Sequence, residues 1–160
     1  MPVLMTLRAA TVDDVPQILG FIRALAEYER LLHEVVATEE GLRQALFGPR
    51  PYAEVVLAED AGVPLGFALF FHTFSTFVGQ PGIYLEDLFV IPEARGRGVG
   101  RALLAHLARL AVARGCARVE WAVLDWNAPA IRFYDSLGAQ PNDEWTVYRL
   151  TGAPLAALAG

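Results

Sequence analysis

Two adjacent carboxylates interrupt an otherwise apolar, strand-like run, Ile83-Tyr84-Leu85-Glu86-Asp87-Leu88-Phe89-Val90-Ile91. Burying a carboxylate costs on the order of several kcal/mol unless it is paired or hydrogen-bonded. Such residues therefore either end a polar network or do chemistry. A desolvated carboxyl holds its proton to higher pH, which suits it to take a proton from an ammonium and release a nucleophilic amine. Period-two alternation predicts opposite faces for the pair, Glu86 with Tyr84 and Leu88, Asp87 with Leu85 and Phe89.

A second chemical feature follows at once. Arg95-Gly96-Arg97-Gly98-Val99-Gly100-Arg101 lies between that strand and a helical pattern with apolar residues at Val99, Leu103, Leu107 and Leu110. A strand that turns through glycines into a helix start presents unpaired backbone N–H groups and the positive end of a helix dipole, a site for phosphate. Glycines admit a bulky anion and arginines add charge. A P-loop needs lysine, and the chain has none; a dinucleotide fingerprint needs Gly-x-Gly-x-x-Gly, where this chain carries Arg101 at the last position.

Around these features the sequence predicts a strand over 3–9 and a helix opened by Thr11-Val12-Asp13-Asp14, with Val15, Ile18, Leu19, Ile22, Leu25 and Ala26 as its apolar face. A shorter helix runs from Thr38-Glu39-Glu40 to near Gly48-Pro49. Strands over 52–59 and 65–74 flank the turn Asp60-Ala61-Gly62-Val63-Pro64. After the glycine loop come a helix over 97–114, a strand over 118–124, a helix capped by Asn127 with Pro129 in its first turn and Gly138 past its end, and a last strand over 144–150. This order predicts a mixed α/β sheet with helices on both faces, in a single domain spanning 1–160.

Arg95-x-x-Gly98-x-Gly100 resembles the acetyl-CoA pyrophosphate loop, Arg/Gln-x-x-Gly-x-Gly/Ala, of the GNAT family of N-acetyltransferases. Downstream, Asp125-Trp126-Asn127-Ala128-Pro129-Ala130-Ile131-Arg132-Phe133-Tyr134-Asp135-Ser136-Leu137-Gly138-Ala139 resembles that family's second signature, and the similarity runs from Leu7 to about Leu150. The resemblance implies the GNAT fold, a mostly antiparallel sheet splayed at the motif strand, and acetyl-CoA as cofactor. It implies cofactor contacts at Leu88, Phe89, Val90, the loop residues Arg95, Gly96, Arg97, Gly98, Val99, Gly100 and Arg101, and Asn127, Pro129 and Tyr134. Glu86 inherits the part of general base, directly or through a water, and Tyr134 that of general acid to the leaving thiolate. A phenol with the reference pKa of about 10 keeps its proton at neutral pH. Asn127 also reads simply as a helix cap, and Tyr134 as a core residue.

Three further segments resemble the diamine (spermidine/spermine) and thialysine branch: Leu25-Ala26-Glu27-Tyr28-Glu29, residues 73–90, and Asp125-Trp126-Asn127-Ala128-Pro129. That branch places Tyr28, Glu29, Phe77, Glu86 and Asp87 beside the amine and builds its site in a homodimer. Two departures stand out: Arg30-Leu31-Leu32-His33 replaces acidic residues, and Ser75-Thr76-Phe77 replaces Asp-Pro-Trp. Fewer anionic and aromatic contacts argue against a long polyamine and for a short diamine, thialysine or another amino-acid-like amine. A non-catalytic acyl-CoA sensor and a protein or peptide N-acetyltransferase are the alternatives; Phe70, Phe71, Phe74 and Phe77 could line a peptide groove.

Composition sets outer bounds. With 54% apolar and 19% charged residues the chain reads as a globular protein, and no apolar run approaches a membrane span. Cys116 is the lone cysteine, and His33, His72 and His106 lack ligand spacing, so neither an internal disulfide nor a metal site is expected. A net charge of −5 argues against nucleic acid and for a cationic substrate. The absence of a secretion signal and of a disulfide framework leads to a cytoplasmic expectation.

Overall fold

The computed structural model describes residues 4–160. Val3, the first residue of the expected opening strand, lies outside the described residues. The chain falls into two compact units, one ending at Ala122 and one running from Val123 to Gly160.

The first unit holds one sheet with strands in sequence order: β1 (Met5–Ala9), β2 (Glu54–Asp60), β3 (Val63–Ser75), β4 (Gln80–Val90) and β5 (Val119–Trp121). The first four pair antiparallel and β5 pairs parallel with β4. Helix α1 (Val15–Tyr28) follows a short 3-10 turn at Val12–Asp14, and α2 (Glu39–Phe47) starts at Thr38, whose hydroxyl accepts the Gly41 N–H at 3.0 Å. Helix α3 (Val99–Ala113) joins β4 to β5. The expected fold class, a mixed, mostly antiparallel sheet flanked by helices, is what forms.

Strand alternation divides the core in two. Val55, Leu57, Phe67, Leu69 and Phe89 meet Ile18 and Phe21 of α1 and Leu46 of α2. Phe21 stacks on Phe67 at 5.3 Å between ring centroids. Val56, Ala68, Phe70, Ile83 and Leu85 are buried on the other side, where α3 contributes Val99, Leu103 and Leu107. Each large apolar side chain so buried contributes about 1.5–3 kcal/mol. One polar cluster ties the sheet edge to the start of α1. Arg8 donates twice to Asp14, at 2.8 Å each, and its Nε donates to the buried Glu59, while Asp14 also accepts the Thr11 N–H at 2.7 Å.

The second unit contains α4 (Ala128–Ser136) and α5 (Gly152–Ala159). The strand expected over 144–150 does not form: the segment has no regular structure and leaves Trp145, Val147 and Tyr148 exposed. Alternating residue types give a strand its faces, but a strand also needs a neighbour for its backbone groups, and within this chain 144–150 pairs with none of the five. The α5 stretch, unexpected from sequence, is an apolar, alanine-rich segment with high helix propensity.

Candidate active site

The glycine loop has the geometry its composition requires. Beyond β4 a 3-10 turn at Pro92–Ala94 leads to Arg95, and Gly96 (φ 77°) and Gly98 (φ 82°) then take left-handed conformations before α3 begins. A side chain at such a φ costs about 1–2 kcal/mol. The space beside both glycines is empty, so backbone conformation rather than crowding demands them. The first intrahelical bond of α3 runs from the Ala102 N–H to the Gly98 carbonyl at 2.9 Å, so the N–H groups of Val99, Gly100 and Arg101 have no partner within the helix. Arg97 and Arg101 are exposed on either side of this turn. Together these groups fit a pyrophosphate.

Arg95 is placed differently from its neighbours. Its Nε donates to the Val90 carbonyl at 3.0 Å, and its guanidinium lies 5.2 Å from the centre of the Tyr28 ring and 5.6 Å from that of Phe89. The side chain fastens the root of the loop to β4 and the end of α1.

The carboxylate pair departs from the alternation expected of it. Leu69 pairs with Asp87 but Phe70 pairs with Leu85, so Glu86 is an extra residue in β4, a β-bulge. Asp87 thereby shares the face of Leu69, the side covered by α1, whereas Leu85 shares the opposite face with Phe70. Tyr84 pairs with Phe71 on that same α1 side, their rings 5.2 Å apart, and Glu86 bears electrostatically on both Tyr84 and Asp87. The two carboxylates therefore turn to one face, not to opposite ones as regular alternation predicts. Their burial also differs from expectation. Glu86 is exposed and Asp87 is half-buried, so the desolvation anticipated for Glu86 falls on Asp87. Its carboxyl is pushed up to about 6, first by burial and then by the nearby charges of Glu86 and Glu29.

Glu29, just past the end of α1, is itself raised by burial. The structure thus brings Tyr28, Glu29, Glu86 and Asp87 to one side of the sheet. It does not bring Phe77 to them: that ring is 98% exposed in the turn between β3 and β4, and Gln80 to Glu86 alone spans about 20 Å of extended strand.

Strand β5 leaves β4 just before the bulge, its last pair being Leu85 with Trp121. Glu86, Asp87, Leu88, Phe89 and Val90 therefore have no strand on that side among the described residues, and the sheet is splayed where the sequence predicts it. Backbone groups along this stretch are free of ladder partners there and can receive an extended ligand arm.

In the second unit Asn127 is buried, 6% exposed, and its Oδ1 accepts the Ala130 N–H at 3.4 Å, so its capping role is real. Pro129 occupies the first turn of α4, and Tyr134 is half-buried with its ring 5.6 Å from Phe133.

Sequence reasoning did not place Glu120 beside Tyr84. It pairs with Tyr84 across the β4–β5 ladder, and the Tyr84 phenol is raised by burial, by Glu86 and by Glu120. Alternation places Tyr84 near Glu86, but nothing local in sequence reveals the register of a parallel strand some thirty-five residues away.

Among the described residues no helix is long and apolar enough to cross a membrane. The model of the acetyltransferase (GNAT) family matches residues 21–139. A thialysine N-epsilon-acetyltransferase of Bos taurus is 39% identical over 165 residues, covering 96% of each chain. An L-ornithine N5-acetyltransferase of Arabidopsis thaliana is 36% identical, covering 95% of this chain and 86% of its own. Among solved structures, an integron cassette protein from V. cholerae superposes with a TM-score of 0.81 at 29% identity, covering 97% of each chain. Members of this family take their acetyl group from acetyl-CoA, for which the glycine turn is suited. With the family pattern, the splayed sheet and relatives matched end to end, the chain belongs to the GNAT family and is an acetyltransferase.

Proposed function

We propose that the enzyme acetylates the primary amine of a small amino-acid-like molecule or short diamine, with Glu86 as general base and Tyr134 as general acid. The observation that carries this reading is the β4 bulge. It gathers Glu86 and Asp87 on one face beside Glu29, and the charged neighbours that raise Asp87 are both carboxylates. An ammonium entering there finds negative charge that the fold itself does not neutralise at Asp87. The names of the relatives, thialysine and ornithine acetyltransferases, agree with an acceptor of this size.

Acetyl-CoA supplies the acetyl group as a thioester. Glu86, exposed to solvent, takes a proton from the bound ammonium directly or through a water, leaving an amine lone pair for attack on the acetyl carbonyl carbon. Backbone N–H groups of Leu88 and Val90, on the open side of β4, hold the carbonyl oxygen and the pantetheine arm, while that of Phe89 faces β3. Gly96 to Arg101 hold the pyrophosphate, with Arg95 bracing the loop, and Asn127 and Pro129, which cap and open α4, take the cofactor role that the family resemblance gives them. Tyr134 returns a proton to the sulfur as the C–S bond breaks. Tyr28, Glu29 and Asp87 position the amine, and Phe77 belongs to the same substrate role only if a second copy carries it there.

We also propose a cytoplasmic homodimer. The unpaired segment 144–150, with Trp145, Val147 and Tyr148 exposed, and the apolar turn carrying Phe77 and Val78 are the surfaces a second copy would cover. Light scattering of the purified chain tests it.

Thiol release from acetyl-CoA with a panel of amines tests the activity. Glu86→Gln is expected to lower kcat at least tenfold with acetyl-CoA binding unchanged, and Tyr134→Phe to lower kcat more than either KM. Wild-type turnover and pH profile in Glu86→Gln would remove Glu86 from proton transfer.

A further inference from the structure

On the face shared by Tyr84 and Glu86, β5 and the residue just before it contribute an ion pair that neither the glycine loop nor the bulge explains. Arg118 Nε lies 3.4 Å from Glu120 Oε1, and both side chains are partly exposed. Residues two apart on a strand point to one face, and Glu120 stands directly opposite Tyr84. The Tyr84 ring packs on Phe71, so an aromatic surface separates Glu86 at one end from the Arg118–Glu120 pair at the other.

We propose that Arg118 and Glu120 are specificity-determining residues that read the zwitterionic end of an α-amino acid whose side-chain amine is acetylated at Glu86. This rests on the small-amine reading above and narrows it. The dimensions agree. Glu86 is two residues along β4 from Tyr84, and Glu120 is one strand over, which puts the two carboxylate-bearing backbones about 8 Å apart. An extended side chain of three or four methylenes carries its terminal nitrogen about 5–6 Å from the α-carbon. Hydrogen bonds at each end take up the remainder. Tyr84 lies between the two carboxylates, its phenol pushed upward first by burial and then by both Glu86 and Glu120.

The pair suits both charges of that end. The α-ammonium meets Glu120 and the α-carboxylate meets Arg118, whose planar guanidinium can donate two parallel bonds to a carboxylate. A diamine of equal length brings a second ammonium instead, which Glu120 accepts but Arg118 repels. An ion pair this exposed holds itself together weakly, so opening it around a zwitterion costs little.

The test compares kcat/KM for L-ornithine and L-lysine with that for putrescine and cadaverine, the same chains without the carboxylate, in wild type, Arg118→Gln, Arg118→Lys and Glu120→Gln. Thermal melts check that each variant folds. Arg118→Gln is expected to lower kcat/KM for the amino acids at least tenfold, mostly through KM, and to leave or raise it for the diamines. Arg118→Lys should recover part of the loss, and Glu120→Gln should weaken both acceptor types. Equal effects of Arg118→Gln on amino acids and diamines, or no effect on either, would overturn the inference and leave the pair as surface charge on a short strand. A wild-type enzyme that releases no thiol with any of the four amines would overturn the small-amine reading, and this inference with it.

Discussion

The Asp87 carboxyl should make the fold less stable than it needs to be, and that is measurable without any substrate. In the unfolded chain Asp87 ionises near its ordinary value of 3.8, whereas in the fold burial and the charges of Glu86 and Glu29 raise it to about 6. A raised carboxyl pKa means that the folded state binds the proton more tightly, so stability falls as pH rises between those two values. Below both values the cost is absent, and above both it is complete. At about 1.4 kcal/mol per pH unit the ceiling is about 3 kcal/mol. Asp87 is only half-buried, and solvent screening brings the expected cost to about 1–2 kcal/mol. Asp87→Asn keeps the shape and removes the charge. For a chain of 160 residues its melting temperature should rise by about 3–6 °C at about pH 8 and coincide with wild type at about pH 3. The same variant should raise the amine KM, since the strain is retained for the ligand. Circular dichroism melts across that range decide the matter. A variant no more stable than wild type at the higher pH, or more stable by the same margin at both, would refute the electrostatic account of this site.

Two further outcomes follow from the same physics. Arg8→Met strips Asp14 and the buried Glu59 of their shared partner and should cost about 1–3 kcal/mol by urea titration. Arg8 holds Asp14 down to about 2, so this contribution is present above the ordinary carboxylate range and is lost as pH falls toward 2. The variant should therefore show less added destabilisation on acidification, and an unchanged difference from wild type would argue against the pairing. Gly98→Ala forces an alanine to φ 82°, with an expected cost of about 1–2 kcal/mol, and should raise the acetyl-CoA KM severalfold while sparing the amine KM. Unaltered acetyl-CoA kinetics would detach the loop from cofactor binding.

What the sequence determined by itself is local. Left-handed glycines before a helix, Asn127 at a helix start and the continuous apolar runs of β2 and β3 each follow from interactions within a few residues. Those interactions do not change with the rest of the chain, so the glycine turn and the element order as far as α4 were legible. Tertiary structure decided whatever depends on a distant partner. The bulge at Glu86 arises from how β4 pairs with β3, and it alone turns both carboxylates to one face and transfers the burial to Asp87. The same dependence explains why 144–150, alternating yet without a neighbour, is no strand here. It also explains why Glu120 joins Tyr84 although thirty-five residues of chain intervene. Register is a property of two strands, and a sequence read along one of them contains only half of it.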